Sequence, residues 1–111
     1  MSMAYLYLTV AIIAEVIATS ALKASAEFTR LYPTLLVVVG YGLAFYFLTL
    51  ALRTIPIGIT YAIWSGFGIV LITIAGTFLY REIPDVPAMI GMGLIIAGVL
   101  VIHIFSKTIS H

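Results

Sequence analysis

The chain has 111 residues, of which 64% are hydrophobic and only 8% are charged. A soluble domain usually carries about a quarter of charged residues, so this chain lacks the charges to cover a water-facing surface and is typical of a membrane protein. Its formal net charge of +1 indicates neither a nucleic-acid nor an acidic partner. The sequence contains no cysteine, which excludes disulfides, thiol chemistry and cysteine-ligated metals.

Charged residues and prolines divide the chain into four apolar segments, at residues 4–22, 31–52, 57–80 and 86–106. Each is long enough to cross a hydrocarbon layer of about 30 Å as a helix. A barrel strand would need about ten residues of alternating polarity, which these segments do not show. The sequence therefore predicts an all-α integral membrane protein, in which residues 1–111 form a single domain of four transmembrane helices.

The first segment has one alternative interpretation, a cleaved signal peptide, because Ala24-Ser25-Ala26 resembles a cleavage site. A signal peptide begins with a basic region, and residues 1–14 contain no lysine or arginine. A glutamate inside the segment also suits a signal peptide poorly, so we expect a transmembrane helix.

The basic residues give little indication of how the chain is oriented. Four spans place Arg53 and Lys107 on one side of the membrane and Lys23, Arg30 and Arg81 on the other. This distribution is almost unbiased under the positive-inside rule. Either the chain inserts one way despite the weak bias, or it inserts both ways and two copies pair antiparallel. The charges alone favour neither.

Small residues in the fourth span, Gly91, Gly93, Ala97 and Gly98, permit the close approach of another helix. Four helices leave little room for a solute path inside one chain, so a transporter of this size is expected to form its cavity between subunits. We therefore predict a dimer contact here, and packing within the subunit is the alternative.

Glu15 is the one acidic residue inside the four spans, and it lies near the middle of the first. A charge at that depth costs about 2.5–3.5 kcal/mol on insertion scales. No lysine or arginine lies inside a span to neutralise it, so the group must face a wet cavity or bind a proton or a cation. We predict that Glu15 exchanges a proton for a cation; a protonated acid that only joins helices is the alternative.

Small and hydroxyl side chains lie beside Glu15, and aromatic residues lie at a similar depth in the second and third spans. Aromatic faces attract organic cations, and a tyrosine hydroxyl can donate a hydrogen bond to a carboxylate. Ordinary packing is the alternative for each ring taken alone. The predicted pocket for a bulky organic cation comprises Ala11, Ala18, Thr19, Tyr41, Phe45, Tyr61, Trp64 and Ser65.

Two glycines, Gly66 and Gly68, bracket Phe67 in the middle of the third span. Glycine weakens a helix by up to about 1 kcal/mol relative to alanine, so this pair permits a kink beside Trp64. We predict a hinge that repositions the pocket, with close helix packing as the alternative.

Several segments resemble the small multidrug resistance (SMR) family of transporters. The run from Pro56 to Leu71 closely resembles the signature of their third helix. The sequence AEVIAT at residues 14–19, followed by Lys23, resembles their first-helix acidic motif, and the segment from Gly91 to Val99 resembles their dimerisation motif. The likeness extends over nearly the whole chain, and Trp64-Ser65-Gly66 fits the branch that exports quaternary cations.

The resemblance implies an antiparallel homodimer in a bacterial inner membrane that exchanges protons for lipophilic or quaternary ammonium cations. Glu15 of both subunits would bind either protons or the drug, and residues 66–70 would supply a kink. The pocket would be lined by Tyr41, Phe45, Tyr61 and Trp64. The implied dimer contact comprises Gly91, Leu94, Ile95, Gly98 and Val99.

Two other functions fit the same residues. One is the export of guanidinium or small polyamines, although the guanidinium-exporting branch typically has threonine where Ser65 stands. The other is a non-transporting membrane subunit, or half of a heterodimer, for which a protonated Glu15 would suffice. We expect neither an enzyme nor a metal or cofactor site, because no second acid, histidine or cysteine shares the depth of Glu15.

Overall fold

The computed structural model describes residues 3–107, and within that range it contains four α-helices. Helix α1 is Met3–Ala24, α2 is Leu31–Ala51, α3 is Ile57–Tyr80 and α4 is Val86–Phe105. Each is long and apolar enough to cross a membrane, which confirms the predicted all-α fold of four transmembrane helices. The ends of the predicted domain, residues 1–2 and 108–111, lie outside the described residues.

Proline and aspartate residues set where α3 and α4 begin. Pro56 is the N-cap residue of α3, and Pro87 lies in the first turn of α4, where a missing N–H costs no helical hydrogen bond. The Asp85 side chain caps α4 by accepting a hydrogen bond of 3.0 Å from the Ala88 N–H. Arg81 ends α3 in a left-handed conformation (φ 57°), so the chain leaves the helix and turns toward α4.

The connector between α1 and α2 is a compact turn organised by Ser25, which is fully buried. The Ser25 hydroxyl donates to the Leu22 carbonyl (2.7 Å) and accepts from the Phe28 N–H (3.2 Å). Ala26, Glu27 and Phe28 all have positive φ, a conformation that residues other than glycine seldom adopt. The buried serine therefore holds the turn that reverses the chain.

Helix α1 lies between α2 and α3, and its contact with α2 is the most extensive in the subunit. A Cβ atom added to Gly40 would lie only 2.7 Å from the Ala18 Cβ, and Ala18 is fully buried. A glycine that faces an alanine lets two helix backbones approach closely. This approach also brings Tyr41, the residue after Gly40, against α1.

Helix α4 packs mainly on α3. Val99 is 5% exposed, and a Cβ atom added to Gly66 would lie 2.5 Å from its Cγ2. Val99 therefore packs within the subunit, and its place in the dimer contact stays a prediction. In contrast, Leu94 is 69% exposed, and no described atom lies within 4 Å of a Cβ added to Gly91 or Gly98.

The two ends of the bundle are joined by different contacts. At one end, Lys23 forms an ion pair with Glu82, so the first and third connectors lie at the same face of the membrane. At the other end, the rings of Tyr5 and His103 meet edge-on with centroids 6.0 Å apart. The helices therefore cross the membrane in alternating directions.

Replacing Gly40 with alanine is expected to destabilise the bundle, because the added methyl group collides with Ala18 and forces α1 and α2 apart. Overpacking of this kind costs about 1–3 kcal/mol. Gly42→Ala is the matched control, since no described atom lies within 4 Å of a Cβ there. Denaturation of the purified proteins, followed by circular dichroism, measures both. Equal stability of the two variants would contradict the close contact.

Candidate functional site

Glu15 lies in the middle of α1 with its side chain partly buried. The hydroxyl of Thr19, one helical turn further on, donates a hydrogen bond of 2.7 Å to Glu15 Oε1. Helix periodicity places residues four apart on one face, so this contact follows from the local sequence. A hydrogen bond to a carboxylate is stronger than one between neutral groups, and Thr19 therefore fixes the orientation of the acid.

The hydroxyl of Tyr41, on α2, lies 2.6 Å from Thr19 Oγ1. A threonine hydroxyl has one hydrogen to donate. Because Thr19 donates that hydrogen to Glu15, Tyr41 is the donor in the second bond. A tyrosine hydroxyl could have donated directly to Glu15; in the structure Thr19 lies between Tyr41 and Glu15, and both bonds point toward the carboxylate.

The second carboxylate oxygen lies near α3, where a glycine leaves space. A Cβ atom added to Gly68 would lie 3.9 Å from Glu15 Oε2 and 3.9 Å from Trp64 Nε1. The carboxylate and the indole ring therefore border the same gap. A side chain at position 68 would fill that gap, so Gly68 contributes space to the site in addition to its predicted role as a hinge.

Four of the predicted aromatic residues form a continuous row of ring contacts from α2 to α3. The rings of Tyr41 and Phe45 are stacked with centroids 6.2 Å apart, and Phe45 meets Trp64 edge-on at 6.3 Å. Trp64 in turn meets Tyr61 edge-on at 6.0 Å. Since the row begins at the tyrosine bonded to Thr19, the aromatic faces and the carboxylate belong to one site.

This aromatic row is open on one side, with Phe45 53% exposed and Tyr61 66% exposed. Within residues 3–107, no group of three histidine, cysteine or acidic side chains is placed to hold a metal ion. A carboxylate beside aromatic faces attracts organic cations through both its charge and the ring quadrupoles. The arrangement therefore suits a bulky organic cation.

Three other predicted pocket residues are placed differently. Ala11 is 4% exposed, and Ala18 is fully buried against Gly40. Both alanines are therefore packed between helices, and their place in the pocket lining stays a prediction. Ser65 is partly buried beside Trp64 in the chain. Sequence reasoning missed Gly40, and the only signal for it was a small residue directly before a candidate tyrosine.

The predicted hinge lies within a helix that runs without interruption from Ile57 to Tyr80. Gly66 is closely packed against Val99, as the packing alternative expected, and Gly68 borders the gap beside Glu15. A hinge at these two glycines stays a prediction.

Comparison with known proteins finds relatives over almost the whole chain. The family described as Small Multidrug Resistance protein matches residues 3–95. The quaternary ammonium compound-resistance protein QacE of Escherichia coli is 50% identical over 107 residues, which cover 96% of this chain and 97% of QacE. With the same coverage, a multidrug transporter of Pseudomonas aeruginosa is 56% identical and QacF of Klebsiella aerogenes is 54% identical.

Replacing Gly68 with leucine is expected to displace the Trp64 ring or the Glu15 carboxylate, because the new side chain enters the gap between them. Trp64 is the single tryptophan of the chain, so its fluorescence reports the change, and we expect a shifted emission maximum. Gly58→Leu is the control, since no described atom lies within 4 Å of a Cβ there. Identical emission from Gly68→Leu, the control and the unmodified protein would contradict the gap.

Proposed function

The chain belongs to the Small Multidrug Resistance family, and we propose that it exports lipophilic and quaternary ammonium cations in exchange for protons, with Glu15 binding either one. The observation that carries the proposal is a carboxylate in the middle of a membrane-spanning helix, joined through hydrogen bonds to a row of aromatic rings. The names of the relatives, which refer to quaternary ammonium resistance and multidrug transport, support the same ligand class.

The exchange follows from the two ways in which Glu15 becomes neutral. With a proton bound, the acid is uncharged; with an organic cation bound, the pair is uncharged overall. Loss of the proton leaves a carboxylate that Thr19 orients, and the faces of Phe45 and Trp64 add to its attraction for a cation. A proton that returns to the carboxylate removes the negative charge, and the cation is released.

The coupling between proton and cation transport follows from the free-energy cost of a deprotonated Glu15 that has no cation bound. A bare carboxylate near the middle of the bilayer is costly, whereas the proton-loaded and cation-loaded forms of Glu15 avoid that cost. The conformational change that moves the site from one side of the membrane to the other is therefore slow for the empty protein. Each complete cycle then carries protons in one direction and a cation in the other.

We infer that two copies form an antiparallel homodimer in which both Glu15 side chains share one cavity. The open side of the aromatic row and the exposed surface of α4 support this assembly. On α4, Leu94 is 69% and Ile95 41% exposed, and Gly91 and Gly98 leave room for a second helix. The nearly even distribution of lysine and arginine between the two faces fits insertion in both orientations.

The chain is a multi-pass membrane protein by its four apolar helices and its family. The relatives come from bacteria, which supports a location in the bacterial inner membrane. In that membrane a proton gradient is available to drive the exchange.

Glu15→Gln is expected to abolish proton-driven uptake of a quaternary ammonium dye into inverted membrane vesicles, because an amide neither releases a proton nor pairs with a cation. Glu27→Gln is the matched control, since Glu27 lies exposed in the first connector, and it should keep the uptake of the unmodified protein. Substantial uptake by the Glu15→Gln protein would overturn the role of Glu15.

Binding of the dye to the purified protein tests the same carboxylate at equilibrium. Affinity should fall as the pH is lowered, because the proton and the cation compete for one group, and Glu15→Asp should move the midpoint. Displacement of the dye by guanidinium or a polyamine at lower concentrations than by a quaternary ammonium compound would favour the other exporter. An absence of pH-dependent binding by this chain alone would favour a non-transporting subunit.

Thr19→Val is expected to weaken dye binding, because valine has nearly the same shape but donates no hydrogen bond to Glu15. The bond of about 1.5–3 kcal/mol is present before the dye binds, so only the part that depends on the orientation of the carboxylate is lost, and affinity should fall about threefold. Thr19→Ser keeps the hydroxyl and should bind the dye almost as well as the unmodified protein. Calorimetric titration compares the variants, and equal affinities for valine and serine would show that the hydroxyl is unimportant.

A further inference from the structure

A second pairing of a carboxylate with an aromatic face lies at the membrane face formed by the first and third connectors. There the Lys23 ammonium forms an ion pair with Glu82, and it also lies 5.0 Å from the centroid of the Tyr80 ring. A cation at this distance from a ring centroid is within the range of cation–π attraction. Lys23 therefore occupies a position in which a positive charge is bound by both an acid and a π face.

Glu82 is held in place by contacts that do not involve Lys23. Its backbone N–H donates to the Gly76 carbonyl (3.1 Å), and its own carbonyl accepts from the Thr77 hydroxyl (3.2 Å). A Cβ atom added to Gly76 would lie 3.3 Å from Glu82 Oε1, so the glycine gives the carboxylate room over the end of α3. The backbone that carries the acid is therefore fixed before any ligand arrives, which limits the positions that the carboxylate can take and lowers the cost of binding.

The Tyr80 ring is fixed as well, because its hydroxyl donates a hydrogen bond of 2.6 Å to the Ser20 carbonyl of α1. This bond joins the end of α3 to α1. It also holds the ring as one wall of a groove between α1, α2 and α3.

The groove has a volume of about 690 Å³ and a mostly apolar lining that includes Ala24, Leu36, Leu79 and Tyr80. Sites for drug-sized molecules have volumes of about 300–1,000 Å³. Tyr80 belongs both to the groove and to the surroundings of Lys23. An apolar group in the groove would therefore lie next to a charge bound between Glu82 and Tyr80.

We propose that this groove and the neighbouring Glu82 carboxylate bind a lipophilic organic cation. The charge lies between Glu82 and the Tyr80 ring, and the apolar part lies in the groove. Lys23 acts as a tethered competitor that an arriving cation displaces. The lysine and glutamate side chains are each 55% exposed, and exposed ion pairs contribute little to stability. A ligand that also fills the apolar groove gains burial that the lysine head group does not provide.

The groove extends toward the centre of the membrane. Its wall includes Val16 and Ile17, the two residues that follow Glu15 in α1. The groove therefore begins at one membrane face and reaches about the depth of Glu15, although Glu15 is not among its lining residues. The choice of ligand class rests on the proposed function, whereas the binding arrangement rests on the contacts of Lys23, Tyr80 and Glu82.

The test is equilibrium binding of decyltrimethylammonium to the full chain in lipid nanodiscs, corrected for binding to empty nanodiscs. All variants carry Glu15→Gln, so the central carboxylate is absent and the result does not depend on its role. Saturable binding should remain in this background. Tetramethylammonium, which has no tail to fill the groove, should bind at least about tenfold more weakly.

Two substitutions should have opposite effects. Glu82→Gln should weaken binding of decyltrimethylammonium about threefold, because it removes the exposed charge that pairs with the ligand. Lys23→Ala should strengthen binding about threefold or more, because it removes the competitor and raises the fraction of sites that are open. Glu27→Gln, which removes an exposed acid of the same face, should change nothing. A general loss of folding cannot produce effects of opposite sign.

The ring is tested by Tyr80→Leu, which should weaken binding, and by Tyr80→Phe, which keeps the ring and should not. The proposal is overturned if Glu15→Gln alone removes all saturable binding, if Glu82→Gln leaves binding unchanged, or if Lys23→Ala weakens it. Failure of the proposed transport function would appear separately, as dye uptake that survives Glu15→Gln in vesicles.

Discussion

A carboxylate placed in the middle of a membrane-spanning helix must be solvated by the protein, because lipid offers it no partner. Thr19 donates to one oxygen of Glu15, and Tyr41 donates to Thr19 in turn. The other oxygen lies near a gap beside Gly68. The acid is therefore hydrogen-bonded through one oxygen, and its other oxygen faces a position where the neighbouring helix carries no side chain.

Close helix packing makes this arrangement possible. Tyr41 reaches Thr19 because the preceding residue, Gly40, lets α2 approach α1 at Ala18. On the other side, Val99 of α4 packs against Gly66 of α3, two residues after Trp64 of the aromatic row. The glycines of α2 and α3 therefore set the distances between the helices, and those distances decide which hydroxyl and which ring lie beside the carboxylate.

Hydropathy alone predicts the four helices, because a span of lipid needs a fixed length of apolar sequence. Depth within the spans also predicts the aromatic row, since residues at equal depth on neighbouring helices can meet. The rotation of each helix about its own axis cannot be predicted in the same way. In lipid every face of a helix is apolar, so no polar face marks which side packs inward. For that reason the sequence did not show that Thr19 separates Tyr41 from Glu15, or that Ala18 and Val99 are buried.

The basic residue of α1 explains why Glu15 is not paired with a lysine of its own helix. Lys23 lies eight residues after Glu15, about 12 Å along the helix axis, and the Glu82 carboxylate and the Tyr80 ring hold its ammonium at the membrane face. An ammonium held there does not neutralise the acid at the centre. One carboxylate thus has a cation supplied by the chain itself, whereas Glu15 has none among the described residues, which fits the proposed exchange of a proton for a cation at this residue.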